Sequence, residues 1–159
     1  MPKITAILHA RNDAARLGRA IESLRPCDEI IVIDHDSNDE SGKVAREHGA
    51  LVKSSIPGVQ PGAYVIDARF DWILCLQPCE SLTEGLEASL FEWKEQDEPG
   101  DDVVGYRFAV RAEQDGGWKN EAPELRLVNR GRLNWPDDLP PNNPKAPELP
   151  GDLLRFEHP

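Results

Sequence analysis

The chain has 159 residues, 39% hydrophobic and 30% charged, with 29 acidic against 18 basic side chains and a formal charge of −11. That length builds one domain with a sizeable core and leaves too little for two. The acidic field repels phosphate backbones and anionic headgroups, which excludes nucleic acid as an expected partner, and no apolar run approaches the length of a transmembrane segment.

Met1-Pro2-Lys3 leads straight into a strand without a basic-then-apolar leader. Cys27, Cys75 and Cys79 offer no disulfide framework, so a cytoplasmic, reducing setting is expected. Cys75 and Cys79 with His35 lack a second ligand pair at zinc-site spacing, which favours cysteines that simply pack.

The first predicted element is a strand over residues 3–9. Asn12 or Asp13 then caps a helix in which Leu17, Ala20, Ile21 and Leu24 recur at i, i+3, i+4, i+7. Residues 29–34, EIIVID, are apolar on both faces, as a central parallel strand covered by helices must be. A weaker helix follows over 41–48, with Gly49 at its C′ position, and then a short strand over 50–53. This strand–helix–strand–helix–strand order predicts a doubly wound α/β unit.

Prolines and glycines between 54 and 68 predict a loop with at most one helical turn, before a buried strand over 71–76. Ser81 with Glu84 resembles a capping box, and Leu86, Leu90 and Trp93 mark a helix stripe. Beyond residue 103 the period changes to two: Val104, Tyr106, Phe108 and Val110 alternate with smaller or charged residues. QDGG at 114–117 and NRG at 129–131 predict turns between antiparallel strands, the second flanked by Leu125, Leu127 and Leu133, Trp135. The domain is expected to occupy 1–135. Residues 136–159, rich in proline, are expected to form an extended tail without regular structure.

In an open parallel sheet, ligands bind outside the carboxyl ends of the strands. His9 to Asp13, Asp34 to Ser37 and Gln77 to Glu80 stand there. Asp34 to Asp39 could equally serve as helix caps, and Glu80 as a solvated loop acid. No G-x-G-x-x-G follows the first strand, which disfavours a dinucleotide-binding dehydrogenase.

The stretch ITAILHARNDAARLGRAIESL followed by DEIIVIDHDSNDESGKVAREHGA resembles the N-terminal half of the family 2 glycosyltransferases of GT-A fold. Asn12-Asp13, Glu22-Ser23-Leu24, the run from Asp28 to Asp34 and Ser37-Asn38-Asp39 carry the resemblance. ELRLVNRGRLNW, residues 124–135, is similar to the acceptor-side strand pair of lipopolysaccharide-core and surface-glycan transferases. The resemblance implies a mostly parallel sheet with helices on both faces and an antiparallel C-terminal addition. It implies a sugar passed from a nucleoside-diphosphate donor to a glycan or lipid-linked acceptor in surface polysaccharide synthesis. Ala10, Arg11, Asp13, Asp34, Asp36, Ser37 and Gln77 would then line the nucleotide site, with Asp137 or Asp138 as catalytic base.

The sequence departs from that family after its fourth strand. Where the family has L-D-A-D-E, whose aspartates bind the divalent cation, Mn or Mg, this chain has Gln77-Pro78-Cys79-Glu80. Glu80 is left as the one carboxylate that could hold a metal, and the turn has lost about two negative charges for a hard cation. The alternatives to a working transferase are an inactive nucleotide- or glycan-binding descendant and an assembly subunit.

Overall fold

In β1 (Ile4–Ala10) Ile4, Ala6, Leu8 and Ala10 enter one buried cluster while Ile7 enters another, so the strand is covered on both faces. The computed structural model describes all of residues 1–159. The chain continues through α1 (Ala14–Glu22), β2 (Glu29–Asp34), α2 (Ser41–Glu47), β3 (Leu51–Ser54), a 3₁₀ segment (Pro61–Asp67) and β4 (Trp72–Cys75). β5 (Glu80–Leu82), α3 (Glu84–Lys94), β6 (Gly105–Gln114), β7 (Gly117–Asn129) and β8 (Glu148–Arg155) complete it.

The eight strands form one sheet in the order β3-β2-β1-β4-β7-β6-β8-β5. β1 to β4 run parallel, in register Ala10 to Asp34 and Ile7 to Cys75. β7 is antiparallel to β4 and to β6, the addition expected from the period-two stretch. The β6–β7 hairpin closes through Asp115 and Gly116, both at positive φ (53° and 80°), the geometry of a type I′ turn.

Leu17, Ala20, Ile21, Ala45, Leu86, Leu90 and Trp93 bring α1, α2 and α3 onto one face of the sheet. The opposite face, with Ile31, Ile33, Ile73 and Cys75, is covered by the 3₁₀ segment through Tyr64 and by Trp135 and Ala146. No helix is long and apolar enough to cross a membrane.

Four local expectations are corrected. Ser81 lies within β5, and Thr83 caps α3 instead, its hydroxyl accepting from Leu86 N at 3.3 Å. Asp13 occupies the N-cap of α1 without a side-chain cap; Ala14 N donates to the Asp39 carboxylate at 3.1 Å, supplied by the neighbouring loop. Leu133 and Trp135 form no strand, although Trp135 is buried. Residues 136–159 are not an unstructured tail: β8 sits inside the sheet, parallel to β6 and antiparallel to β5. Its Pro150 and Gly151 are accommodated where the β6 register shifts between Phe108 and Ala109. Gly151 has φ +105°, and a Cβ there would lie 2.4 Å from Leu86 N, so glycine alone permits the approach of α3.

Candidate functional site

The loops after β1 and β2 are tied into one body. Asn12, at φ 55°, donates its N–H to Ser37 Oγ (3.0 Å) and accepts from Asn38 N through Oδ1 (2.7 Å). Asp13 N donates to Ser41 Oγ at 2.9 Å, and the Asp39 carboxylate accepts from Ser41 as well as from Ala14. The Ser41 hydroxyl and the backbone donors hold the Asp39 carboxyl below its ordinary value. Asp13 accepts from Arg11 N (2.8 Å) and pairs with Arg16 Nε (3.0 Å), so its carboxylate serves the loop itself.

Asp34 ends β2 beside Ala10, and Ala10 O accepts from His35 N at 2.9 Å. The half-buried Asp34 carboxylate accepts from both the backbone N–H and the hydroxyl of Ser37, which fixes its orientation. Asp36 and Arg11 are exposed at the rim, Asp36 in the left-handed region at φ 51°. Thus the structure gathers Ala10, Arg11, Asp13, Asp34, Asp36 and Ser37 at one end of the sheet.

His9 points to the opposite face from Ala10. Its Nδ1 lies 2.9 Å from His35 Nε2, and its ring packs edge-on to Tyr64 at 5.9 Å between centroids. Burial, followed by the His35 charge, lowers the His9 pKa to about 4, against an opposing pull from Asp138. His9 is therefore a neutral imidazole at pH 7. With Cys75, Trp135, Pro61, Val65 and Asp138 it lines a small cavity of about 10 Å³.

The two candidate bases are both exposed; Asp138 also borders this cavity, whereas Asp137 presents its backbone carbonyl toward Gly62. The docking is close: Gly62 N donates to Pro136 O at 2.9 Å, and a Cβ on Gly62 would lie 1.8 Å from Trp135 O. The larger hollows, of about 340 Å³ beside Cys27 and Arg69 and about 690 Å³ beside Asp71 and Arg132, open at the other end of the parallel strands. None of the candidate nucleotide, metal or catalytic residues lines them.

The turn after β4 differs most from expectation. Glu80 is fully buried; Arg126 donates to its two oxygens at 2.7 Å each, and Arg155 donates to Oε2 at 3.0 and 3.1 Å. Gln77 N donates to Glu80 Oε1 at 2.8 Å as well. Glu124 joins the group, accepting from Arg126 and Arg155, so two glutamates face two arginines. Burial alone would lower the Arg126 pKa, but Glu80 and Glu124 outweigh it and hold it above the ordinary value. Arg126 also donates to Cys75 O at 3.1 Å, bracing the end of β4.

Glu80 is accordingly corrected from metal ligand to buried counter-ion. A divalent cation does not fit this turn: its acid is saturated by guanidinium donors, Gln77 offers a neutral amide, and Cys79 a thiol pushed up by burial and by Glu80. No group of three or more His, Cys, Asp or Glu side chains is arranged to hold a metal. Sequence reasoning missed Arg126, Arg155 and Glu124. The one available signal was a lone arginine inside the apolar run LRLV, which in a buried strand demands a carboxylate partner.

No protein-family profile matches the chain. It is 32% identical to the lipopolysaccharide core biosynthesis glycosyltransferase LpsC of Rhizobium meliloti over 151 residues, which is 83% of this chain and 53% of that protein. An uncharacterized glycosyltransferase of Rickettsia felis is 35% identical over 91 residues, 55% of this chain and 32% of its own length. Among solved structures, mannosyl-3-phosphoglycerate synthase from Rubrobacter xylanophilus superposes with a TM-score of 0.53 at 24% identity, over 73% of this chain and 43% of that one. Glucosyl-3-phosphoglycerate synthase from Mycobacterium tuberculosis, in complex with Mn2+, UDP and its product, superposes with a TM-score of 0.50 at 19% identity, covering 72% and 45%.

The fold is therefore that of the GT-A glycosyltransferases. The chain is a relative of named bacterial glycosyltransferases and spans about a third to a half of the length of the curated relatives it matches.

Proposed function

We propose that this chain forms the nucleotide-sugar side of a family 2 glycosyltransferase. It would pass a sugar from a nucleoside-diphosphate donor to a glycan or lipid-linked acceptor during surface polysaccharide synthesis, on the cytoplasmic side where such donors are made. The observation that carries this reading is the interlocked loop pair after β1 and β2, which presents an oriented Asp34 carboxylate at the end of a GT-A sheet. A carboxylate held by Ser37 on one oxygen keeps the other for the donors of a base or ribose. Gln77, half-buried in the turn beyond β4, would border the same nucleotide. Asp138, beside the neutral His9, would take the proton of the acceptor hydroxyl as it attacks the anomeric carbon.

A second reading, a nucleotide- or glycan-binding module without transfer, is favoured by the turn at 77–80, which offers no free carboxylate. Calorimetric titration with uridine, guanosine, adenosine, cytidine and thymidine diphosphates tests what the two share. Asp34→Ala should weaken binding about 5- to 100-fold, the worth of a lost charge-assisted contact, while the unfolding midpoint stays near that of the wild type. Equal binding by the mutant would remove Asp34 from the site. Hydrolysis or transfer of a bound nucleotide sugar then separates transferase from binding module.

A further inference from the structure

Around the 77–80 turn the fixed charges cancel. Glu80 and Glu124 are met by Arg126 and Arg155, and Gln77 and Cys79 carry no charge at neutral pH. The turn is tied to α1 through the chain end. Phe156 N donates to Cys79 O at 2.8 Å, and the Arg19 guanidinium stacks 3.7 Å above the Phe156 ring. β5 is joined to the same helix, since Leu82 N donates to Ser23 Oγ at 3.0 Å. One turn before Arg19, Arg16 therefore faces the gap between the β1 loop, where it meets Asp13, and Cys79. The Cys79 thiol registers both Arg16 and Arg155 as nearby positive charges. Arg11 stands exposed at the same rim.

We propose that this site meets the charge of a nucleoside diphosphate with fixed guanidinium groups, Arg16 and Arg11, in place of a divalent cation. The inference rests on the nucleotide reading above and names what neutralises the ligand. A diphosphate running from the Asp34 loop toward Cys79 crosses the span that Arg16 covers. Guanidinium forks match phosphate oxygens in pairs, and Arg16 would exchange Asp13 for phosphate without unfolding the loop, whose backbone bonds to Ser37, Asn38 and Ser41 remain. The neutral thiol at 79 fits the same logic, because a carboxylate there would repel phosphate unless a metal intervened.

The test is calorimetric titration of the full chain with the five nucleoside diphosphates and with the matching nucleosides, in EDTA and in excess manganese. At least one diphosphate should bind in EDTA with an affinity within about 2-fold of that in manganese, and more tightly than its nucleoside. Arg16→Gln, and separately Arg11→Gln, should weaken diphosphate binding in EDTA about 5- to 50-fold and leave nucleoside binding unchanged, a split that a merely structural role would not produce. Cys79→Asp should weaken binding in EDTA and restore it in manganese. Diphosphate binding that requires manganese in the wild type would overturn the inference and leave the nucleotide reading standing. Wild-type affinity in both arginine variants would also overturn it. Absence of binding by every diphosphate and nucleoside would remove the inference together with the reading on which it rests.

Discussion

Arg126 meets Glu80 side on, two nitrogens to two oxygens at 2.7 Å each, with side chains that are 1% and 0% exposed. They join β7 to the start of β5 at the point where β4 ends, so one ion pair fixes three strands. Removing a single partner leaves a buried charge unmatched. Arg126→Met should cost about 3–5 kcal/mol in urea unfolding. Arg126→Met with Glu80→Leu should cost less than Arg126→Met alone, because Arg155 and Glu124, 2.9 Å apart, still neutralise each other. A double mutant as unstable as the single one would show that the pair is held for more than charge balance.

His9 sets a pH dependence of known sign. Its pKa is lowered from 6.5 in the unfolded chain to about 4 in the folded one. The folded state therefore binds fewer protons between these values. The stability contributed by the neutral imidazole is fully present above pH 6.5 and falls as pH drops toward 4, by at most about 3 kcal/mol. Urea midpoints measured across that window should slope downward with acid in the wild type and flatten in His9→Asn. Parallel slopes would assign the dependence to other groups.

Gly62→Ala places a methyl group 1.8 Å from Trp135 O, a backbone atom that cannot rotate away. The 3₁₀ segment and residues 135–138 would have to part, at a cost of about 1–3 kcal/mol or more. Limited proteolysis should then cut within 54–70 in the variant at a protease level that leaves the wild type whole. Asp138 would move with that segment, so any transferase activity should fall as well.

Truncation after Ala146 should abolish cooperative unfolding. Leu153 is fully buried and Arg155 holds Glu80, so the loss of β8 opens the core and unbalances the buried charges. Circular dichroism melts would report this. Loss of His158 and Pro159 alone, which are exposed, should leave the melt unchanged.

The parallel half of the fold was legible because its signals are local. EIIVID lies between Asp28 and His35 and forms β2 without a shift of either end. β5 was not legible, being three residues long and a strand only because β8 pairs with it. β8 was hidden by Pro150 and Gly151, which break the alternation that marks a strand, and only the register shift on β6 shows how they are absorbed. At the site, the turn from Asp34 to Ser37 could be read, because its residues are neighbours in sequence. The role of Glu80 could not, since its partner lies 46 residues away on another strand.

The place of β8 in the sheet also orders events in time. A ribosome delivers β5 before β6, β7 and β8, yet residues 80–82 find their strand partner only when residues 153–155 have emerged. Until then the sheet ends at β6, whose outer edge is unpaired, and Glu80 lacks one of its two arginines. The nascent domain is thus held open along one seam until residues 148–155 arrive to close it.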